Sequence, residues 1–269
     1  MSFLQNVLRV MDAQMTTPTL FGWYHLMWLA ITAAYTVWLC FWAKKATADQ
    51  VRKMVLITAI VVIICEIYKQ INFTFSYENG ITADYQWYAF PFQFCSTPMY
   101  IGLLAGLTRK GKIHDAACAY LATFAVFAGA CVMIYPGDVY IGTIGINIQT
   151  MICHGSMISV GAALYASGHV KVQFKSLLKA ACVFAVCVAL ACTMNEIAHM
   201  TGLLERETFN MFFVSPYVES TLPLYGLVHA AVPSPWNLVI YIVGFSVAAG
   251  LMLLIAKGIS KLGRHKVAA

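Results

Sequence analysis

Cysteine and histidine carry the most latent chemistry in this sequence. A thiol is a strong nucleophile only as thiolate, and apolar surroundings keep its proton on, so a reactive cysteine needs a base or a positive charge beside it. Of nine cysteines, Cys95 stands apart by its neighbourhood, Tyr88-Ala89-Phe90-Pro91-Phe92-Gln93-Phe94-Cys95-Ser96-Thr97-Pro98. Prolines free backbone groups and bend an apolar helix, often beside a cavity, which would expose a cysteine between them. The other eight read as small apolar core residues. His154 and His25 fall at a depth comparable to Cys95 in the element pattern below. His154 is the better base, because His25 lies among Trp23, Tyr24 and Trp28, which form an interfacial aromatic belt of their own. Cys95 and His154 are thus the candidate nucleophile and general base. In the plainer alternative, a single intramembrane histidine is an interhelical hydrogen-bonding residue and the cysteine is packing.

The elements that must position these residues follow from composition. With 61% hydrophobic and 10% charged residues over 269 positions, the chain lies far from the roughly 25% charge of soluble domains. In lipid the backbone must satisfy itself, so the chain must be helical or a closed barrel. Its apolar runs are continuous rather than alternating, and each approaches the ~20 residues that cross about 30 Å of hydrocarbon. The predicted fold is all-α: a seven-helix membrane bundle with spans at 21–43, 52–72, 88–107, 115–135, 143–167, 177–199 and 235–256. The predicted organisation is an N-terminal interfacial segment over 1–20, with Phe3 to Met11 as a short amphipathic helix, then one membrane domain over 21–256 and a basic tail over 257–269.

Charge placement orients the bundle. Lys44, Lys45, Arg52 and Lys53, then Arg109, Lys110 and Lys112, then Lys171, Lys175 and Lys179, and finally Lys257, Lys261, Arg264 and Lys266 fall on alternate connections. The positive-inside rule makes that side cytoplasmic and the N-terminus external. The other side carries Asp12, Glu78, Asp84, Asp138, Glu205, Glu207 and Glu219. Insertion topology already explains the net charge of +6, so nucleic acid is not an expected partner. No extramembrane disulfide framework and no removable signal peptide are expected. The outer loop from about 201 to 234 is long and apolar, and reads either as a lid or as an interfacial filler.

Polar groups are costly at membrane depth and mark either partners or function. His25 stands near the outer end of the first span, Glu66, Lys69 and Gln70 in the outer part of the second, and Gln93 and Cys95 early in the third. Asn147, Gln149 and His154 occupy the outer half of the fifth, and Asn195, Glu196 and His199 close the sixth. Together they predict a polar, outward-facing cavity. Glu66 and Lys69, three residues apart, share a helix face and neutralise each other. They either bind a headgroup or hold spans together. Asn195 and Glu196 stand one turn before His199 and are placed to orient its ring. Isolated histidines without paired ligand spacing give no metal or haem site, and no cofactor is expected.

In order along the chain, Phe21-Gly22-Trp23-Tyr24-His25-Leu26, Cys65-Glu66-Ile67-Tyr68-Lys69-Gln70, Phe90-Pro91-Phe92-Gln93-Phe94-Cys95, His154-Gly155-Ser156, Met194-Asn195, Phe209-Asn210-Met211-Phe212 and Pro233-Ser234-Pro235-Trp236 resemble the YwaF-like bacterial seven-span membrane proteins. That family is similar to a eukaryotic acyltransferase of ether phospholipids and, more distantly, to androgen-induced and androgen-dependent lipid hydrolases, in which threonine replaces the cysteine. The resemblance implies a cysteine nucleophile in the third span and a histidine in the fifth, here Cys95 and His154. Gln93 stands where the bacterial pattern often has histidine.

The expected function is a membrane lipid acyltransferase of the bacterial cytoplasmic membrane. Cys95 would form a thioester from a phospholipid, and His154 would serve as base toward the thiol and then toward a lyso-lipid hydroxyl. Asn195 or Gln93 would donate to the oxyanion, and His25, Glu66, Lys69, Asn147 and His199 would line the cavity or bind the headgroup. Transfer to water would make the protein a lipid ester hydrolase. A non-enzymatic binder or transporter of a small solute or lipid is the alternative from another class.

Overall fold

The computed structural model describes residues 2–137, 139–203 and 209–265, with side chains to Ile259. Asp138, Glu205, Glu207 and Lys266 from the charge pattern lie outside the described residues, as do the side chains of Lys261 and Arg264. The helices are α1 (Phe3–Met11), α2 (Trp23–Ala43), α3 (Ala48–Asn72), α4 (Thr97–Leu107), α5 (Lys112–Ala122), α6 (Phe124–Ile134), α7 (Ile144–Ala166), α8 (Phe174–Met200), α9 (Tyr225–Ala231) and α10 (Trp236–His265). Helices α1 and α3 start on capping boxes, Ser2 with Gln5 and Thr47 with Gln50, each of which satisfies two otherwise orphaned N–H groups. A two-stranded hairpin pairs Phe75 with Ala83 and Ser76 with Thr82.

Among the described residues, five segments are long and apolar enough to cross a membrane: α2, α3, α5 with α6 as Lys112–Ile134, α8, and Trp236–Ile259 of α10. The stretch expected as the fifth span forms helix α7, which is not among those five and whose 23 residues carry Asn147, Gln149, Thr150, His154, Ser156 and Ser159. Helices α2, α3, α5 and α6 all pack on it, so its polar side chains face protein.

The expected third span is not one helix. A single 3-10 turn at Trp87–Ala89 and an irregular run precede α4, whose 11 residues rise only about 16 Å. Pro91 denies the run an N–H and steers Phe90 to extended geometry, φ −49° and ψ 133°, whereas Pro98 sits in the first turn, where a helix tolerates it. Cys95 therefore lies in the irregular lead-in rather than within a helix. The fourth span breaks at Thr123, with φ −124° and ψ −77°, and the Thr123 hydroxyl donates to the Ala119 carbonyl at 2.7 Å. Helix α10 also runs past residue 256 into the expected tail, because nothing in Lys257 to His265 breaks it.

Contacts sort the connections into two ends. At one end Arg52 donates to the Gly106 carbonyl, Lys179 pairs with Asp115 at 2.7 Å, and His114 meets His169 ring to ring. This end gathers the basic loops. At the other, Met15 N donates to Gly142 O, Gln5 reaches the hairpin at Tyr77 O, Tyr77 donates to Asp12, and Trp87 meets Phe209.

The aromatic core lies toward the second end. Phe124 and Tyr241 stack on Phe184 at 4.6 and 5.8 Å, with Phe94 and Phe245 packed against it. Phe212 from the long loop enters this cluster and is fully buried, with Phe209, Met211 and Val214 buried around it. Of the two readings of the 201–234 loop, its described part from Phe209 to Ser215 fills the bundle. Tyr217 and Leu224 remain exposed.

Candidate active site

His154 projects from the buried face of α7. Its Nδ1 lies 2.7 Å from the Thr150 carbonyl one turn back. A carbonyl only accepts, so Nδ1 carries the proton and Nε2 holds the lone pair. That Nε2 is buried and has no hydrogen-bond partner among the described residues. A buried polar atom left unsatisfied costs about 1–3 kcal/mol, a cost that His154 shares with six other side chains among the described residues. Gly129 lets α6 approach closely enough to seal this stretch of α7: a β-carbon there would stand 2.6 Å from the His154 carbonyl oxygen.

Cys95 is half-buried against the aromatic core, at the N-terminal approach to α4. Thr97, two residues on, is pinned twice. Its hydroxyl lies 2.9 Å from the Phe94 carbonyl and 2.7 Å from the Tyr120 hydroxyl, which fixes the lead-in to α5. The Lys69 ammonium lies within electrostatic range of both Cys95 and His154. Lys69 pairs with Glu66 at 2.8 Å, and Gln70 donates both to Glu66 at 2.7 Å and to the Ala89 carbonyl at 2.9 Å. This network ties α3 to the lead-in. Glu66 and Gln70 also border a groove of about 370 Å³, walled by Ile63, Ile67, Pro91 and Tyr100.

The other expected cavity residues serve elsewhere, and the single polar cavity read from the sequence does not form from all of them. His25 is fully buried with both nitrogens in use: Nδ1 accepts from Phe21 N at 3.0 Å, and Nε2 donates to the Met133 carbonyl at 2.8 Å. It fastens the start of α2 to the end of α6. Asn147 spans Ile141, its Oδ1 accepting from Ile141 N at 3.0 Å and its Nδ2 donating to Ile141 O at 2.7 Å. Asn195 does the same with Met211, at 2.8 and 3.1 Å. Gln93 accepts from Phe212 N and donates to Asn210 O, both at 3.0 Å.

Each carboxamide imitates a strand partner for backbone that lies outside any regular ladder. The oxyanion reading of Gln93 and Asn195 therefore competes with a clamp: only the second N–H of each amide is uncommitted by these bonds. His199 is exposed and stacks on Tyr217 at 3.6 Å, while Glu196 accepts from the Tyr217 hydroxyl at 2.7 Å. Its ring is oriented by Tyr217 rather than by Asn195 or Glu196, because Asn195 is spent on Met211.

Two cysteine contacts escaped the sequence reading. Cys118 lies 3.6 Å from His114 Nε2, and His114 Nδ1 bonds the Ala105 carbonyl at 3.0 Å. Their four-residue spacing on α5 is the signal that would have found them. Cys65 on α3 packs against the cluster formed by Val62, Met99 and Cys153 of α7, and no local pattern announces that grouping.

A model of the TMEM164 family matches residues 20–257. Comparison with curated proteins and with solved structures gives no match.

Proposed function

The chain belongs to the TMEM164 family, a family of multi-pass membrane proteins, and from that premise we propose a membrane lipid acyltransferase working through Cys95 and His154. The observation that carries this reading is the His154 ring: proton fixed on Nδ1 by Thr150, Nε2 buried and unpartnered, with Lys69 in range of both it and Cys95.

In the proposed reaction Nε2 takes the thiol proton as Sγ of Cys95 attacks the ester carbonyl carbon of a phospholipid. The ester C–O bond breaks, the departing lyso-lipid oxygen takes that proton from His154, and the acyl group remains as a thioester. A lyso-lipid hydroxyl then attacks the thioester, again losing its proton to Nε2, and the thiol is restored. Each such proton transfer typically contributes 10²- to 10⁴-fold. The uncommitted N–H of Gln93, two residues before Cys95, or that of Asn195 would serve the oxyanion. The aromatic packing of Phe94 and Phe212 favours transfer over hydrolysis by excluding water.

We read the chain as crossing the bilayer seven times, with α7 and the α4 segment added to the five apolar spans and the N-terminus outside. The gathering of the basic loops at one end supports this orientation. In purified protein incubated with phospholipid, mass spectrometry should find an acyl adduct on Cys95, absent in Cys95→Ala and formed far more slowly in His154→Gln. Undiminished lipid remodelling by Cys95→Ala would end the proposal.

A further inference from the structure

The end that gathers the basic loops holds more positive charge than the carboxylates beside it neutralise. Asp49 is engaged by Arg52 at 2.6 Å and Lys53 at 3.0 Å, and Asp115 by Lys179 at 2.7 Å. The connection from α4 into α5 presents Arg109, Lys110 and Lys112, and that from α7 into α8 presents Lys171 and Lys175. All five are exposed, and none has a carboxylate partner among the described residues. Two contacts hold the connections side by side: the His114 and His169 rings, 6.1 Å apart, and the Lys179–Asp115 pair. The Ser176 hydroxyl donates to the Lys171 carbonyl at 2.7 Å, and Gly111 and Gly168, at φ 119° and 74°, turn the backbone through conformations that favour glycine. Like charges on two adjoining segments repel until an anion covers them. Exposed apolar side chains stand among these cations: Leu107 two residues before Arg109, Ile113 beside Lys112 and Phe174 beside Lys175. A soluble polyanion has no use for them, whereas an amphiphile uses both kinds of group.

We propose that segments 109–112 and 171–175 together form a binding surface for anionic phospholipids of the leaflet at that end. Phosphate oxygens accept from the ammonium groups and from Arg109, whose guanidinium can grip a phosphate with two N–H groups. Leu107, Ile113 and Phe174 meet the first methylenes of the acyl chains. Neither segment contains an Asp or Glu, so nothing within them repels the headgroup. The insertion rule accounts for the side on which the cations lie; it makes no demand that two separate connections be fastened together around them. Each cation engaged at an anionic surface contributes about fivefold in affinity. The inference rests on the reading that the chain spans the bilayer and is independent of acyl transfer.

The test uses the full chain in vesicles that carry spin-labelled phosphatidylglycerol or phosphatidylcholine, with the protein-bound fraction of each read by electron paramagnetic resonance. Phosphatidylglycerol should be preferred by about fivefold or more, and added salt should shrink that preference by screening exposed charge. Changing Arg109, Lys110, Lys112, Lys171 and Lys175 together to Gln should bring the ratio to about one. Arg109→Gln with Lys171→Gln, a milder variant for insertion, should fall between. Lys44→Gln with Lys45→Gln, at the same end but outside both segments, should keep most of the preference. Ile113→Ser with Phe174→Ser should weaken it while every cation remains. Cys95→Ala should match the parent, so a failed thioester leaves this result intact. A parent ratio of one, a preference unchanged in both Arg109 variants, or full displacement of phosphatidylglycerol by an equal concentration of tripolyphosphate, which would assign the surface to a soluble polyanion, would each overturn it.

Discussion

Cys118 and His114, which touch each other, contrast with Cys95 and His154, the two residues proposed to act together. The first two lie on one regular helix, with both histidine nitrogens engaged, Nδ1 by Ala105 and Nε2 by the thiol. Both are buried beside Ala105, Ala117 and Ala119. Cys95 and His154 come from separate elements, one an irregular lead-in and one a buried helix, and His154 Nε2 has no partner among the described residues. Contact alone therefore does not mark a reactive pair. Cys118 and His114 already satisfy each other, whereas in the proposed reaction the lone pair left free on His154 Nε2 is the one a substrate would engage.

The largest expected contrast is between the two cysteines. Cys95→Ala should lose the acyl adduct and fall to background turnover, whereas Cys118→Ala should keep activity and lose about 1 kcal/mol of stability. Equal activity loss in both would show that packing, not nucleophilicity, matters at residue 95. Next come the histidines. His154→Gln should lower turnover by about 10²- to 10⁴-fold with melting little changed, and His114→Gln should do the reverse. A pH–rate profile identical in His154→Gln and parent would remove the base role.

The carboxamide clamps give the next effect. Asn195→Leu orphans the buried N–H and C=O of Met211, and Gln93→Leu those of Phe212 and Asn210, at about 1–3 kcal/mol per buried group. Denaturation in detergent should show both losses, with the double variant falling short of their sum because one segment serves both. His199→Ala, on an exposed stack, should stay within about 0.5 kcal/mol. A loss in His199→Ala as large as in Asn195→Leu would refute the clamp account.

Much of the helical framework was legible because lipid leaves the chain few choices: apolar length and alternating basic loops locate most of the elements. The lead-in to α4 was not, since a window of hydropathy over 88–107 takes no notice that Pro91 removes a donor and redirects Phe90. The Glu66–Lys69 pair was readable from its three-residue spacing. The roles of Gln93, Asn147 and Asn195 were not, because each is defined by a backbone segment distant or irregular enough to leave no period in the sequence. Polarity at depth was read as a cavity, and for these three it is instead substitute backbone pairing.

The smallest expected effect separates the two ends by pH. His169, in the connection between α7 and α8, is held below the ordinary imidazole value, first by burial and then by the neighbouring His114, whose ring lies 6.1 Å away. Unfolded, the imidazole takes a proton near pH ~6.5; folded, it does so only at lower pH. Between those values the unfolded state binds more protons, so stability rises with pH. The contribution is complete above about pH 6.5 and is lost as pH falls through and below it. Melting measured from about pH 8 down to about 5.5 should therefore decline, and His169→Asn should flatten part of that decline without altering acyl transfer at pH 8. The basic end would then act as a pH-dependent stability element, separate from the proposed chemistry. A parent curve superimposable on that of His169→Asn would leave the two ends electrostatically alike.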